Sequence, residues 1–97
     1  MFHPIYRIVS VRVMVPYVLE VTFDDRTKRK VDLQDMLYGE MYSPLRDPAF
    51  FERVTVDPEV HTIIWPNGAD FDPAILYDWE KHRDRMIALA RTWRKAD

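Results

Sequence analysis

The 97 residues fit one domain, and their composition, 47% hydrophobic and 31% charged, is that of a globular protein rather than a disordered segment. The chain lacks cysteine, which excludes disulfides and thiolate metal sites, and it lacks a long apolar run or a signal-peptide pattern, so we expect a cytoplasmic protein without membrane contact. The net charge of −2 is uneven: residues 1–78 carry eight Lys/Arg and thirteen Asp/Glu, whereas residues 79–97 carry six and three, so a basic tail follows an acidic body that disfavours unspecific phosphate binding.

The first third of the sequence predicts three strands. Ile5–Met14 is rich in β-branched residues and, after a break at Pro16, Val18–Phe23 alternates apolar and polar residues. The polar turn 24–27 has no glycine, which predicts a slightly longer turn or one capped by an aspartate, rather than a two-residue hairpin. Lys28–Asp32 then predicts a third strand, and its consecutive cations are typical of a sheet edge.

Short helical segments and two more strands are predicted for the middle of the chain. Asp32 is expected to cap a helix over Leu33–Tyr38, which Gly39 ends in a left-handed conformation, and 41–46 is expected to be a loop. Two Asp-Pro pairs, Asp47-Pro48 and Asp72-Pro73, predict helix starts. Strands are expected at Arg53–Asp57 and His61–Trp65.

From Trp79 the pattern becomes helical. An apolar stripe is predicted on this helix and consists of Trp79, His82, Met86, Leu89, Ala90 and Trp93. Docking of the stripe on the chain's own sheet is the favoured interpretation, and self-association or a partner protein is the alternative.

No residue pattern indicates catalysis. The three histidines lie far apart, the paired carboxylates fall in turns or at helix caps, and neither serine has the glycines of a nucleophile elbow. Two glycines cannot form a phosphate-binding loop. We therefore expect no enzyme activity, no cofactor and no bound metal.

Nucleic acid is the alternative ligand that the cations suggest. Two basic patches are predicted, Lys28, Arg29 and Lys30 in the third strand and Arg91, Arg94 and Lys95 in the tail. The acidic body argues against this interpretation, and a charged edge strand with a solvated helix face explains the same residues.

The order of these segments resembles a small bacterial family, the domain of unknown function 2442. The resemblance covers roughly residues 5–78 and is most specific in Trp65-Pro66-Asn67-Gly68-x-Asp70 and Leu76-Tyr77. It is also carried by Leu19-x-Val21-x-Phe23-Asp24-Asp25, Arg29-x-Val31-Asp32-Leu33, Pro44-Leu45-x-Asp47, Phe50, Phe51 and Val54-x-Val56-Asp57. The resemblance implies an α+β domain without an established activity. Some relatives carry a helix-turn-helix domain after this one, and others are small stand-alone proteins that are encoded beside small toxin-like partners. Arg26 stands where the family commonly has glycine.

These observations predict one α+β domain with a mainly antiparallel meander sheet of about five strands, short helices and a C-terminal amphipathic helix. Residues 1–78 form the family-like part and 79–97 the basic helix. The favoured function is a non-enzymatic protein-interaction or regulatory module, such as the neutralising half of a two-protein system. The sequence is also compatible with a homo-oligomer. The expected interaction surface is Trp65, Asn67, Asp70, Tyr77, Trp79 and Trp93.

Overall fold

Five strands form two antiparallel sheets in the computed structural model, which describes residues 5–94. In the first sheet, β1 (Ile8–Val15), β2 (Val18–Phe23) and β3 (Lys28–Asp32) lie side by side in that order, so β1 and β3 are edge strands. The second sheet pairs β4 (Thr55–Val56) with β5 (Ile63–Ile64). The predicted α+β class is confirmed, but the strands do not make one meander, because a run of helical turns separates β3 from β4.

Among residues 5–94, six helical segments connect and cover the strands, and all but the last are short. The 3₁₀ turns are Gln34–Met36 and Ser43–Arg46, and the helices are α1 (Gly39–Tyr42), α2 (Pro48–Phe51), α3 (Pro73–Tyr77) and α4 (Trp79–Arg94). Both Asp-Pro starts are confirmed, because Asp47 accepts a hydrogen bond from the Ala49 N–H (3.1 Å) and Asp72 from the Ala74 N–H (2.8 Å).

The segment between β3 and α2 differs from its prediction. The expected helix over 33–38 is only the 3₁₀ turn, and the expected loop over 41–46 is helical. Gly39 has the predicted left-handed backbone, with φ of 84°, but it begins α1 instead of ending a helix. The turn over residues 24–27 agrees with its prediction, since Asp25 accepts the Thr27 N–H at 2.9 Å and Arg26 takes φ of 72° in place of a glycine.

A bulge in β1 changes which of its residues face the core. The register shifts between Ile8 and Ser10, so buried Ile8 shares the core face with half-buried Val11 and Val13. Strict alternation predicted Ile8 on the opposite face from these valines, whereas Val9, which was grouped with them, is exposed. Because the bulge inserts one extra residue, the residues after it face the opposite side of the sheet from the one that strict alternation gives.

Helix α4 packs on the same core as the strands. Its buried residues are Trp79, Ile87 and Ala90, whereas Leu89 is 47% exposed. The other members of the predicted stripe, His82, Met86 and Trp93, are half-buried. The three buried residues are centred about 60° from the middle of that stripe, at 100° per residue. Arg83 and Arg94 contact Asp35 and Tyr38. None of the helices within residues 5–94 has the length and apolar character that crossing a bilayer requires.

Candidate functional site

Two of the tryptophans predicted to form an interaction surface are core residues. Trp65 is 2% exposed, donates its indole N–H to the Phe51 carbonyl at 2.9 Å and packs against Phe51 and Phe71. Trp79 is 3% exposed at the start of α4. The prediction that these two side chains are displayed to a partner is wrong, because large aromatic rings contribute most of the apolar area that so small a domain can bury.

Asn67, Asp70 and Trp93 do come together, around α1. The Asn67 side chain donates to the Met41 carbonyl (2.9 Å), and the Tyr42 hydroxyl donates to the Asp70 carbonyl (2.8 Å). Burial, with Asp70 adding to it, raises the pKa of Tyr42. Half-buried Trp93 stacks on Tyr42 with the rings 5.7 Å apart. These contacts fasten the turn after β5 and the end of α4 to α1.

A shallow apolar groove of about 340 Å³ lies between α1 and the end of α4. Met41, which is 47% exposed, lines it together with Tyr42 and Trp93. The polar groups of Asn67 are satisfied within the domain, since its side-chain oxygen also accepts the Ala69 N–H. The groove thus offers apolar contact but few polar groups that would orient a ligand.

Tyr77 lies elsewhere, under the turn between β2 and β3. Its hydroxyl donates to Asp25 Oδ2 at 2.6 Å, and its ring stacks on Tyr6 at 4.3 Å. Arg29 donates Nε–H to the Tyr77 carbonyl (2.7 Å) and lies over the ring. The hydrogen bond from Tyr77 is the largest cause that lowers the pKa of Asp25, followed by the Thr27 N–H. The network joins the hairpin turn to α3, which gives Tyr77 a structural role. Tyr77 also lines a cleft between β3 and the start of α4.

Replacing Tyr77 with phenylalanine is expected to raise the pKa of Asp25. Because folding lowers this pKa, the carboxylate stabilises the fold above the unfolded value of about 3.9, and that contribution is lost as pH falls through the lower folded value. NMR titration of the Asp25 carboxyl carbon measures the shift directly, and urea unfolding from pH 5 to pH 2 should show a shallower loss of stability in Tyr77→Phe.

The matched control is Tyr6→Phe, since the Tyr6 hydroxyl has no hydrogen-bond partner among residues 5–94. It removes a hydroxyl from the other ring of the same stacked pair. An Asp25 pKa that is unchanged in Tyr77→Phe, or equally raised in Tyr6→Phe, would contradict the assigned cause.

The basic run of β3 is divided by strand alternation. Arg29 turns toward the core side and is bonded to Tyr77, whereas Lys28 and Lys30 are exposed on the opposite face. Lys30 lies across from Glu20, but that carboxylate is bonded to Arg12 at 3.2 Å. Within the described part of the chain, neither lysine has a carboxylate within 4.0 Å.

The backbone of β3 is open along its outer edge. The Leu33 N–H donates to the Tyr17 carbonyl and the Phe23 N–H to the Thr27 carbonyl. In an antiparallel ladder hydrogen-bonded pairs alternate, so Val31 and Arg29 are also bonded to β2. It follows that Lys28 and Lys30 direct their N–H and C=O groups away from the sheet.

A cleft of about 540 Å³ lies between this edge and the start of α4. Its cations are Lys28, Arg29, Lys30 and Lys81, and its carboxylates are Asp78 and Glu80. Lys81 is exposed and, like the two lysines of β3, has no ion-pair partner in residues 5–94. Lys81 was not predicted to belong to this site, because the contact joins segments about fifty residues apart and no local signal marks it.

The second basic patch lies at the other end of α4. Thirteen residues separate Lys81 from Arg94, which is about 20 Å along a helix. The Arg94 guanidinium lies over the Tyr38 ring at 5.6 Å, and Arg91 is exposed beside it on the helix. Lys95 lies outside the described residues. The two predicted patches therefore do not merge into one basic surface along the described part of α4, where Asp35 and Asp84 approach Arg83.

No group of three His, Asp or Glu side chains in the described chain has the arrangement of metal ligands. The described buried side-chain nitrogen and oxygen atoms all have hydrogen-bond partners. The polar groups of the core are thus occupied in holding the fold together.

Comparison with known proteins places this fold in a family. No curated protein matches the sequence. A crystal structure of a putative DNA binding protein from Nitrosomonas europaea is similar, with a TM-score of 0.69 and 25% identity over 82% of this chain and 52% of that one, so the chain spans about half the length of that protein. The model of a family of proteins of unknown function, DUF2442, matches residues 8–82, from β1 into α4, and the chain therefore belongs to this family.

Proposed function

We propose that the domain is a non-enzymatic interaction module that binds an acidic protein partner at the cleft between β3 and α4. One observation carries the proposal: Lys28, Lys30 and Lys81 all line one cleft, beside an open strand edge, and none of them has a carboxylate partner among residues 5–94. Exposed ammonium groups without local partners are available to an anionic ligand, and they attract it over about 8 Å at physiological salt.

The character of the cleft favours a protein over a nucleic acid. Asp78 and Glu80 lie among its cations and would repel phosphates, whereas a polypeptide can place a cation near them. The open N–H and C=O groups of β3 complement another polypeptide backbone. A regulatory role in the cytosol, such as neutralising a partner protein, is part of this proposal.

Nucleic-acid binding is the second candidate. It is supported by the same three lysines and by the Nitrosomonas europaea neighbour, which is named for DNA binding. That protein is about twice as long as the part aligned here, so its name applies to a chain with additional sequence. Phosphate contacts alone would make such binding steeply dependent on salt.

Affinity purification from the native cell extract, with and without nuclease, is expected to recover a protein that depends on the cleft. The triple variant Lys28→Ser, Lys30→Ser and Lys81→Ser should reduce recovery about tenfold or more, since each exposed ion pair contributes about 0.2–1 kcal/mol. The matched control removes three exposed cations outside the cleft, Arg7→Ser, Arg53→Ser and Arg85→Ser.

Recovery that survives nuclease and is lost only in the cleft variant supports the proposal. Recovery that nuclease abolishes favours the nucleic-acid candidate instead. Equal losses in the two triple variants, or equal recovery with all three proteins, would refute a role for the cleft.

A further inference from the structure

We infer that the segment bound at the cleft is an extended acidic strand, which adds to β3 as a fourth strand of the first sheet. This inference rests on the proposed function and specifies the chemistry of its partner. The β3 edge, the two exposed lysines and the cleft beyond them each restrict what the segment can be.

The open backbone of β3 sets the conformation of the ligand. Lys28 and Lys30 direct their N–H and C=O groups outward, about 7 Å apart along the strand, which is the repeat of an extended polypeptide. The Lys28 carbonyl accepts one hydrogen bond from Arg29 and keeps a second lone pair. A strand is the conformation that satisfies both residues at once.

The two lysines set the side chains of the ligand. Residues of an added strand opposite Lys28 and Lys30 lie on the same face as the lysines, with Cβ atoms about 5 Å away. Aspartate or glutamate at two positions separated by one residue would pair with both ammonium groups. Lysine at those positions would oppose them, so a second copy of β3 is a poor ligand for this edge.

The residue between the two acidic positions faces the other way. It lies on the side of Arg29, where the cleft of about 540 Å³ separates β3 from the first turn of α4. That volume is large enough for a bulky side chain. The recognised pattern is therefore acidic, bulky, acidic in an extended segment.

Short fluorescent peptides with this alternation test the inference by their anisotropy on titration with the full chain. Binding should weaken about tenfold when the same residues are rearranged so that the acidic ones are contiguous, and about tenfold for Lys28→Ser with Lys30→Ser. Arg7→Ser with Arg53→Ser is the control for charge, and unchanged urea midpoints verify that the variants fold.

Backbone N-methylation of the peptide separates strand addition from simple charge attraction. In antiparallel addition, methyl groups on the acidic residues block hydrogen bonds to β3 and should abolish binding, whereas a methyl group on the intervening residue points away and should be tolerated. Loss of binding that is confined to methylation at one of the two alternating sets of peptide residues supports the inference. Equal effects of both sets, or binding of the contiguous peptide as tight as that of the alternating one, would overturn it.

The inference and the proposed function fail in different ways. A protein captured through the cleft lysines, together with no affinity for alternating peptides, would refute strand addition and leave the interaction module standing. Binding of an oligonucleotide of equal charge with the same affinity and salt dependence as the peptide is the other outcome. That result would refute both the inference and the proposed function, because the cleft would then attract any polyanion.

Discussion

Replacing Trp65 with alanine is expected to lower the free energy of unfolding by about 3–5 kcal/mol. The indole is 2% exposed and packs between Phe51 and Phe71, so its removal leaves a cavity that rigid neighbouring rings cannot fill. It also removes the shorter of the two hydrogen bonds to the Phe51 carbonyl, which keeps only the Val54 N–H at 3.4 Å. Urea unfolding followed by circular dichroism measures the change.

Trp65→Phe keeps most of the volume and removes the indole N–H, and it should destabilise by about 1–3 kcal/mol. This smaller change keeps the test informative if the alanine variant does not fold, since a domain of this size has only about 5–15 kcal/mol in total. A loss below about 1 kcal/mol for Trp65→Ala would contradict the core position of this side chain.

Gly39→Ala should have the second largest effect, a loss of roughly 2–5 kcal/mol in the free energy of unfolding. The left-handed backbone at Gly39 penalises a side chain by about 1–2 kcal/mol, and an alanine Cβ would lie only 3.1 Å from the Trp93 Cβ. Crowding of this kind typically adds about 1–3 kcal/mol. The measurement is the urea midpoint, read together with Trp93 fluorescence as a report on the end of α4.

Gly68→Ala is the matched control, because Gly68 also has a left-handed backbone, with φ of 90°, but its nearest neighbour would be the Met41 Cε at 3.9 Å. Gly68→Ala should lower the free energy of unfolding only by the cost of a side chain on a left-handed backbone, about 1–2 kcal/mol. If the two alanine variants are equally destabilised, Trp93 does not crowd Gly39.

Local signals in the sequence were reliable where a residue acts on its immediate neighbours. Asp47 and Asp72 cap helices that begin at the following proline, and Asp25 caps the turn, because each hydrogen bond spans only two residues. Gly39 was assigned the correct backbone conformation but the wrong helix. The reason for that glycine is its approach to Trp93, which lies more than fifty residues away.

The candidate site depended on contacts that no window of sequence contains. Lys28 and Lys30 were identified from their run of cations, but Lys81 joins them only because α4 begins beside β3. Arg29 was grouped with its neighbours, although alternation turns it to Tyr77. On α4, Leu89 was predicted to be covered and Ile87 was not, because the apolar pattern of a helix does not specify which neighbouring elements pack on it.

Helix α4 extends past the segment that the family model matches, which ends at residue 82. Yet Ile87 and Ala90, beyond that limit, are part of the buried core. In this chain the segment that the family model matches therefore shares its hydrophobic core with residues that lie beyond that segment. A chain cut after residue 82 would therefore expose the apolar surface that Ile87 and Ala90 cover.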